Sequence, residues 1–251
     1  MARFTSFQNI LPDPNNSIGD AGQSTGSSGA GFSGVTFTGE QPYMSSRTNS
    51  GRLLARATAA HKWKIKITYN PMTREDFQPI YLFLLQRRGP MNPFYVSLPQ
   101  YRTPQDSDFA SYAAEDNSKL QIDKAGGYTA GQTVINVDGA NGYLISTDST
   151  PQPGDMFTID GTDSNHEKAY LVTRVETPTD YFSGDDDAAD APDANNLRLH
   201  FVPPLARDVD NNDDLVFHNP LVKVIRTGNI EEYKLNNNNL YSFSLNLEEV
   251  Q

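Results

Sequence analysis

The sequence predicts a mainly β protein with one short helix, in which the middle of the chain forms a small β-barrel or sandwich. The first observation is a clean alternation of polar and apolar side chains over residues 62–69, which is typical of a half-buried strand. The second is a change of texture from about Gly126, after which short β-prone segments are separated by Gly, Pro, Asn and Asp. That spacing is typical of a compact all-β domain.

Two further strands are predicted before residue 62. Residues 35–38, Val-Thr-Phe-Thr, alternate apolar and polar side chains. Residues 47–60 are compatible with a long strand, which we expect to form a hairpin with the alternating strand that follows it.

A single helix is predicted after these strands. Its apolar side chains recur at helical spacing and form one stripe, made by Phe77, Ile80, Tyr81, Leu84 and Leu85. Because proline is tolerated in a helix only within the first turn, Pro79 predicts that the helix body begins near Asp76. Gly89 is a natural C-terminal cap, and the aromatic residues after it predict a short strand over residues 94–99.

The rest of the chain predicts a series of short strands. An acidic stretch, residues 183–196, interrupts them and is expected to be a solvated loop. The final strand, residues 241–247, again alternates apolar and polar side chains. The other predicted strands cover residues 133–137, 156–159, 170–175, 197–202, 215–217 and 221–226.

Residues 1–34 are predicted to be an extended Gly/Ser-rich N-terminal arm. From residue 11 onward this segment has almost no apolar side chains. On its own it therefore buries too little surface to offset the entropy that ordering costs. We expect an ordered arm to lie against the body of the protein or against a neighbouring subunit.

The composition argues against several kinds of chemistry. The 251 residues include no cysteine, which removes disulfides, thiolate metal ligands and thiol nucleophiles. Acidic residues outnumber basic ones by 31 to 20, and the formal net charge is −11. This balance argues against a double-stranded DNA ligand, because phosphate binding depends on clustered Lys and Arg. No segment has the apolar length of a signal peptide or membrane span, so we expect a protein made in the cytoplasm without a membrane partner.

Two short strings match catalytic or cofactor motifs, and we interpret both as chance matches. Residues 22–26 fit the G-x-S-x-G pattern of serine hydrolases, and residues 29–34 fit the G-x-G-x-x-G dinucleotide fingerprint. Both motifs work at the start of a helix, whereas a predicted strand follows here.

The candidate metal ligands do not form a known pattern either. The four histidines are far apart in the sequence, at His61, His166, His200 and His218. Four residues alternate like calcium ligands: Asp208, Asp210, Asn212 and Asp214. They lack the central Gly and the closing Glu of an EF-hand loop. The sequence therefore predicts no catalytic, cofactor-binding or metal-ligating residue, no cofactor and no enzymatic activity.

The ordered set of segments resembles the distal-tail and tail-adaptor proteins of bacteriophages. Those proteins carry a strand with a tryptophan, then a short helix, then a glycine followed by an aromatic strand that ends in proline. The matching segments here are residues 61–65, 77–88 and 89–99. Segments that match the later part are residues 131–137, 154–159, 169–175, 199–205 and 241–245.

The resemblance implies a tail-tube-like β-domain formed by residues 35–100 and 206–251, into which residues 101–205 are inserted as a small β-domain. It also implies a structural protein of the virion, made in the host cytoplasm. Relatives form a closed ring, usually a homohexamer, that joins the tail tube to the hub or baseplate. The partners would be tube and hub proteins, and genomic DNA would pass without specific binding, which an acidic pore favours.

Two other functions stay open from the sequence. A carbohydrate- or receptor-binding β-module of a virion would use an exposed aromatic platform, for which the candidates are Tyr101, Tyr112, Tyr128 and Tyr143. A hydrolytic enzyme would need a concave site with convergent carboxylates or a His–acid pair.

Overall fold

A computed structural model describes residues 9–13, 31–57, 61–116, 118–140, 142–161, 168–181, 192–228 and 233–250. The protein is mainly β, with 40% of the described residues in strands and 17% in helices, so the predicted fold class is confirmed. The chain forms two compact units. The first extends to Val96 and resumes at Lys223, and the second runs from Ser97 to Val222.

The described elements comprise fifteen strands and three α-helices. In chain order they are β1 (Phe32–Glu40), β2 (Tyr43–Arg47), β3 (Leu53–Ala57), β4 (Lys62–Tyr69), α1 (Arg74–Arg87), β5 (Phe94–Ser97), α2 (Ser107–Glu115), β6 (Gln121–Ile122), β7 (Val134–Asp138), α3 (Gly142–Ser146), β8 (Met156–Asp160), β9 (Ala169–Glu176), β10 (Leu197–Val202), β11 (Asp214–Val216), β12 (Leu221–Arg226), β13 (Lys234–Leu235), β14 (Tyr241–Ser242) and β15 (Ser244–Glu249).

The first unit is built on a five-stranded sheet with the order β1-β4-β15-β12-β5. Strand β4 pairs antiparallel with both of its neighbours, so that Ile65 lies opposite Phe37 on one side and opposite Leu247 on the other. The alternation predicted for residues 62–69 is confirmed, because every second side chain is buried. The buried residues are Trp63, Ile65, Ile67 and Tyr69.

Helix α1 packs against the apolar side of this sheet. The ring of Phe83 lies edge-on to Phe94 of β5, with 5.5 Å between the ring centroids. Phe77 contacts Phe243 in the same way at 5.6 Å. The predicted stripe is partly wrong, since Phe83 is buried and Leu85 is exposed. The buried face of α1 is therefore rotated, relative to the predicted stripe, towards Phe94 of β5.

The helix begins earlier than predicted. It starts directly after Thr73, whose hydroxyl donates a hydrogen bond to Asp76 Oδ2 at 3.0 Å. Pro79 therefore lies beyond the first turn. The acidic residues of the first turn favour this start, because the N-terminal end of a helix dipole attracts negative charge. At the other end the left-handed C-terminal cap is Arg88, with a φ of +52°, so the cap predicted at Gly89 comes one residue earlier. Gly89 follows it with a φ of +67°.

Part of the predicted N-terminal arm belongs to the first unit. Leu11 is 1% exposed, and its N–H donates to Tyr95 O at 2.7 Å, while Tyr95 N–H donates to Asn9 O at 2.8 Å. Residues 9–13 therefore lie along the outer edge of β5, in parallel orientation. The arm boundary at residue 34 is also wrong, because β1 already begins at Phe32. Residues 14–30 lie outside the described residues.

The predicted pairing of residues 47–60 with the following strand is wrong. Strand β3 pairs with β2, with Ser45 opposite Ala55, and both edges of β4 are occupied by β1 and β15. A short turn joins β2 to β3, and so short a connection favours pairing between the strands that it links. The two strands form a separate hairpin.

The second unit contains a closed six-stranded barrel with the order β10-β7-β6-β11-β8-β9. Of the two predicted forms, the barrel is the one observed. Strand β11 lies between β6 and β8, so residues 206–222 belong to this unit and the return to the sheet comes later than predicted. Helices α2 and α3 were not predicted, because each is too short to show a clear apolar period.

Aromatic rings fill the barrel. The ring centroid of Phe157 lies between 5.2 and 5.6 Å from those of Tyr170, Phe201 and Phe217. Phe109 of α2 packs edge-on against Phe217 at 5.2 Å, so this helix contributes to the same core. All five rings are fully buried. The second unit therefore has a hydrophobic core of its own.

Gly127→Ala is expected to destabilise the barrel strongly. Gly127 has a φ of +68°, and a Cβ there would lie 1.9 Å from the carbonyl oxygen of Val209. The added Cβ would force the backbone to shift, and the left-handed conformation would strain the alanine as well. We therefore expect the free energy of unfolding to fall by more than about 3 kcal/mol. Gly126→Ala is the matched control: its φ is +83° with nothing within 4 Å, so only left-handed strain of about 1–2 kcal/mol applies. Urea unfolding measures both, and equal losses would contradict this geometry.

Leu11→Ala is expected to destabilise the first unit by about 2–5 kcal/mol, because it leaves a cavity where a buried leucine packed. The control is Leu82→Ala on the outer side of α1, where the side chain is 56% exposed. That change should alter the free energy of unfolding by less than about 0.5 kcal/mol. If both variants unfold at the same urea concentration, residues 9–13 are not part of the folded unit.

Candidate interaction surface

The hairpin formed by β2 and β3 is exposed throughout residues 43–56. Its turn is closed by backbone hydrogen bonds: Thr48 N–H donates to Arg52 O at 3.0 Å, and Gly51 N–H donates to Thr48 O at 2.9 Å. Gly51 has a φ of +83°, which suits the last residue of such a turn. Backbone hydrogen bonds therefore hold the hairpin together, although its side chains are exposed to solvent.

Both faces of the hairpin carry large apolar side chains. Tyr43 and Leu53 lie on one face and Met44 and Leu54 on the other, because the register places Arg47 opposite Leu53 and Ser46 opposite Leu54. These four side chains are between 50% and 71% exposed. A two-stranded hairpin is marginally stable in water and cannot bury both of its own faces. Exposed apolar side chains of this kind indicate a contact with another molecule.

The hairpin is also basic, in an acidic protein. Residues 41–61 contain Arg47, Arg52 and Arg56 and no acidic residue. The charge of the whole chain is divided unevenly between its two units. Residues 1–96 and 223–250 contain 13 basic and 9 acidic residues, a formal charge of +4, whereas residues 97–222 contain 7 basic and 22 acidic residues, a formal charge of −15.

Strand β1 is the open edge of the sheet. It stands at one end of the strand order, whereas residues 9–13 cover the strand at the other end. Among the described residues, no strand pairs with the outer edge of β1. Such an edge presents unpaired N–H and C=O groups that accept a further strand. Only Gln41 and Pro42 separate β1 from the hairpin in the chain.

The polar face of the sheet is a shallow groove with lysines along β4. Lys64 Nζ lies 2.7 Å from Glu40 Oε2, and Lys62 Nζ lies 2.5 Å from Glu248 Oε1. The hydrogen bond and charge of Lys64 lower the pKa of the Glu40 carboxyl, and the same contact raises the pKa of Lys64. These ion pairs compensate two of the three lysines. The groove is therefore polar without being strongly basic.

The barrel carries an acidic row across four neighbouring strands. Asp160 of β8 lies opposite Asp214 of β11, Asp214 lies opposite Gln121 of β6, and Gln121 lies opposite Asp138 of β7. Gln121 Nε2 donates a hydrogen bond to Asp214 Oδ1 at 2.7 Å. The row faces outward, because the adjacent residue in each strand is a buried one: Ile159, Leu215, Ile122 and Val137.

Negative charge accumulates around this acidic row. Burial raises the pKa of Asp138, and the charge of Asp123 raises it further. Burial also raises the pKa of Asp213, with further increases from Asp210 and the row carboxylates. Among the described residues, no Lys, Arg or His forms an ion pair with a carboxylate of the row. Within the described part of the chain, the negative charge of the row therefore has no ion-pair partner.

One His–carboxylate pair is present in the barrel. Glu176 Oε1 lies 3.3 Å from His200 Nε2, Glu176 Oε2 lies 3.8 Å from Arg198 Nη1, and Arg174 forms a further ion pair with the same carboxylate. Glu176 and Arg198 are both buried. Cationic neighbours stabilise a buried carboxylate, whereas hydrolysis requires a His–acid pair in a concave site that substrate can enter. Glu176 is closed off from solvent.

Three of the four tyrosines considered for a carbohydrate platform are buried or half-buried. Tyr128 is buried. Tyr112 is half-buried, and its hydroxyl donates to Gly139 O at 2.5 Å. Tyr101 is half-buried as well, and burial raises its pKa. The side chain of Tyr143 lies outside the described residues.

The residues that alternate like calcium ligands take part in turns. Asp208 Oδ1 accepts a hydrogen bond from Ala130 N–H at 2.7 Å, and Asp210 N–H donates to Asp213 Oδ2 at 2.8 Å. Within the part of the chain that the structure describes, no group of three His, Cys, Asp or Glu could hold a metal ion. Residues 22–26, 29–30, His166 and most of the acidic stretch 183–196 lie outside that part.

No helix among the described residues has the length and apolar character to cross a lipid bilayer. Comparison with the models of known protein families gives no match, and no curated protein is significantly similar to the chain. The candidate surface is therefore defined by its geometry and chemistry.

Asp138→Asn is expected to stabilise the barrel at neutral pH. Because burial raises the pKa of Asp138 in the folded state, the folded protein holds this proton more tightly than the unfolded chain does. Wild-type stability therefore falls as the pH rises from the unfolded pKa through the raised folded pKa, and the variant lacks this loss. We expect a gain of less than about 1 kcal/mol at neutral pH, since water screens the half-exposed carboxylate.

The control for this variant is the same pair of proteins at about pH 2.5, where the carboxyl group is protonated in both states and the gain should vanish. Urea unfolding at a series of pH values measures the difference. A gain that does not change with pH would show that the charge of Asp138 is not its cause.

Proposed function

We propose that the chain is a structural virion protein of a phage tail or baseplate, which forms a ring that joins the tail tube to the hub or baseplate and lets DNA pass. The single observation that carries this proposal is the β2–β3 hairpin, with large apolar side chains exposed on both faces. A protein that works alone has no use for such a surface, whereas an assembly subunit buries it against a neighbour.

The physics of ring formation supports the same function. A ring of identical subunits requires two different surfaces on each copy, because the contact is heterologous and closes by rotation. The hairpin is one such surface, and the open edge of β1 beside it can extend the same surface by accepting a strand. A sixfold ring is the number that the resemblance implies.

The order of the elements supports the family. A strand with a tryptophan, β4, is followed by α1, then by Gly89 and by the aromatic strand β5, and the barrel lies before the closing strands of the sheet. This is the order of segments in phage distal-tail and tail-adaptor proteins. The work of such a subunit is assembly, so the proposal includes no catalytic group and no cofactor.

Passage of DNA without adhesion fits the charge of the chain. Each copy carries a formal net charge of −11, so a ring of several copies repels a phosphate backbone at long range. The sheet lysines do not form a free basic strip, because Glu40 and Glu248 pair with Lys64 and Lys62.

Replacing Leu53 and Leu54 together with serine is expected to prevent ring formation and to leave the monomer folded. Each substitution removes an apolar side chain from a different face of the hairpin, and neither residue is part of a core. The wild-type chain should form a closed ring in concentrated solution, whereas the variant should have the mass of a monomer. Native mass spectrometry measures the mass, and circular dichroism monitors folding.

The matched control replaces Leu82 and Leu85 of α1, which are equally exposed but lie outside the hairpin, and this variant should still form the ring. A wild-type chain that stays monomeric at every concentration, alone and with tail-tube and hub proteins, would contradict the proposed function. A hairpin variant that forms the wild-type ring would show that the contact lies elsewhere.

A further inference from the structure

We propose that the β2–β3 hairpin of one copy docks on the acidic row of the barrel of a neighbouring copy. The proposal rests on the proposed function in one respect, the self-association of the chain, and adds the surface that receives the hairpin. Both surfaces are defined by residues of this chain: the hairpin by its exposed apolar side chains and arginines, and the acidic row by Asp138, Asp160 and Asp214.

Charge identifies a second copy as the occupant. The hairpin contains three arginines and no acidic residue, whereas the unit that contains the barrel has a formal charge of −15. Two copies can therefore bring opposite charges together, and such complementarity steers association and fixes its register. Because the donor and the acceptor are different surfaces, every copy offers both, which is the condition for a heterologous contact.

The closed barrel decides which carboxylates one hairpin can face. Because the barrel has six strands, β7 and β8 lie on opposite sides of it, and the row from Asp160 to Asp138 follows half of its circumference. Asp160 and Asp214 lie opposite each other on the neighbouring strands β8 and β11, so their carboxylates face the same side. On the hairpin, Arg56 lies opposite Met44, so one face places an arginine and an apolar side chain against this part of the row.

Apolar contacts fit the same arrangement. The face of the hairpin that bears Arg56 also bears Met44 and Leu54. Beside the acidic row, Val216 and Thr158 lie opposite each other on the outward side of β11 and β8, and both are half-buried. They offer the hairpin a partly apolar strip next to the carboxylates. Within the described residues no intramolecular cation competes for the row.

Charge reversal on each surface tests the proposal. A hairpin variant combines Arg47→Glu, Arg52→Glu and Arg56→Glu, and a barrel variant combines Asp138→Lys, Asp160→Lys and Asp214→Lys. Each variant alone opposes like charges, so we expect at least about a 100-fold loss in its association constant. An equimolar mixture should restore assembly, because the reversed surface of each variant meets the reversed surface of the other. Native mass spectrometry should then show assemblies in which the two chains alternate in equal numbers.

Cross-linking provides a second test that needs no change of charge. The chain contains no cysteine, so single cysteines can be introduced in separate chains, Ser46→Cys on the Arg56 face of the hairpin and Thr158→Cys beside the acidic row. A short bismaleimide should join the two chains in the assembled mixture. The control is Ser244→Cys of β15, exposed on the polar face of the sheet and outside the hairpin, the β1 edge and the acidic row, which should give no comparable product with Ser46→Cys.

The outcomes separate this inference from the proposed function. Rings that form from wild type and equally from both reversed variants would overturn the docking while leaving the ring. Loss of assembly in the hairpin variant without rescue in the mixture, or without the Ser46–Thr158 cross-link, would also overturn it. Binding of a short DNA duplex that depends on the three arginines, with assembly unchanged, would identify nucleic acid as the occupant instead. A wild-type chain that never self-associates would contradict the ring itself.

Discussion

The double pairing of β4 is the constraint on which the first unit depends. Its side chains alternate between Trp, Ile and Tyr on one face and Lys on the other, so a slip of one residue would bury the lysines and expose the core. The register with β1 and β15 is therefore fixed. It also brings Lys62 to Glu248, 186 residues away in the chain. Helix α1 and residues 9–13 then pack on a sheet that β4 has already defined.

The fold was predictable where the pattern was local. Alternation in β4 and the spacing of the barrel strands depend on neighbours in sequence, and they agree with the structure. The cap of α1 was predicted to within one residue. The errors concern strand pairing between segments that are far apart in the sequence. Nothing in residues 47–60 shows that β4 is already paired on both edges, and nothing in residues 206–222 shows that β11 completes the barrel. Ile10 and Leu11 are followed by a long polar stretch, and the burial of Leu11 depends on the free edge of β5.

The candidate surface was less predictable than the fold. The hairpin had a signal in the sequence that a strand prediction ignores: three arginines without an acidic residue, and large apolar side chains at both odd and even positions. Such a segment suits no half-buried strand, since apolar and polar side chains are mixed on both faces. The acidic row had no such signal, because Asp138, Asp160 and Asp214 come from three strands and meet only through the register of the barrel.

The way in which the chain leaves and re-enters the sheet has an evolutionary consequence. Strands β5 and β12 are neighbours in the sheet, and the hydroxyl of Ser97, where the chain leaves, donates a hydrogen bond to Asn219 Oδ1 at 2.5 Å, just before the chain returns. A segment whose two ends touch can be lengthened, exchanged or reduced to a tight turn without moving any strand of its host. The places where the chain leaves and re-enters the sheet therefore allow the barrel to change in evolution without a change in the order of the sheet strands.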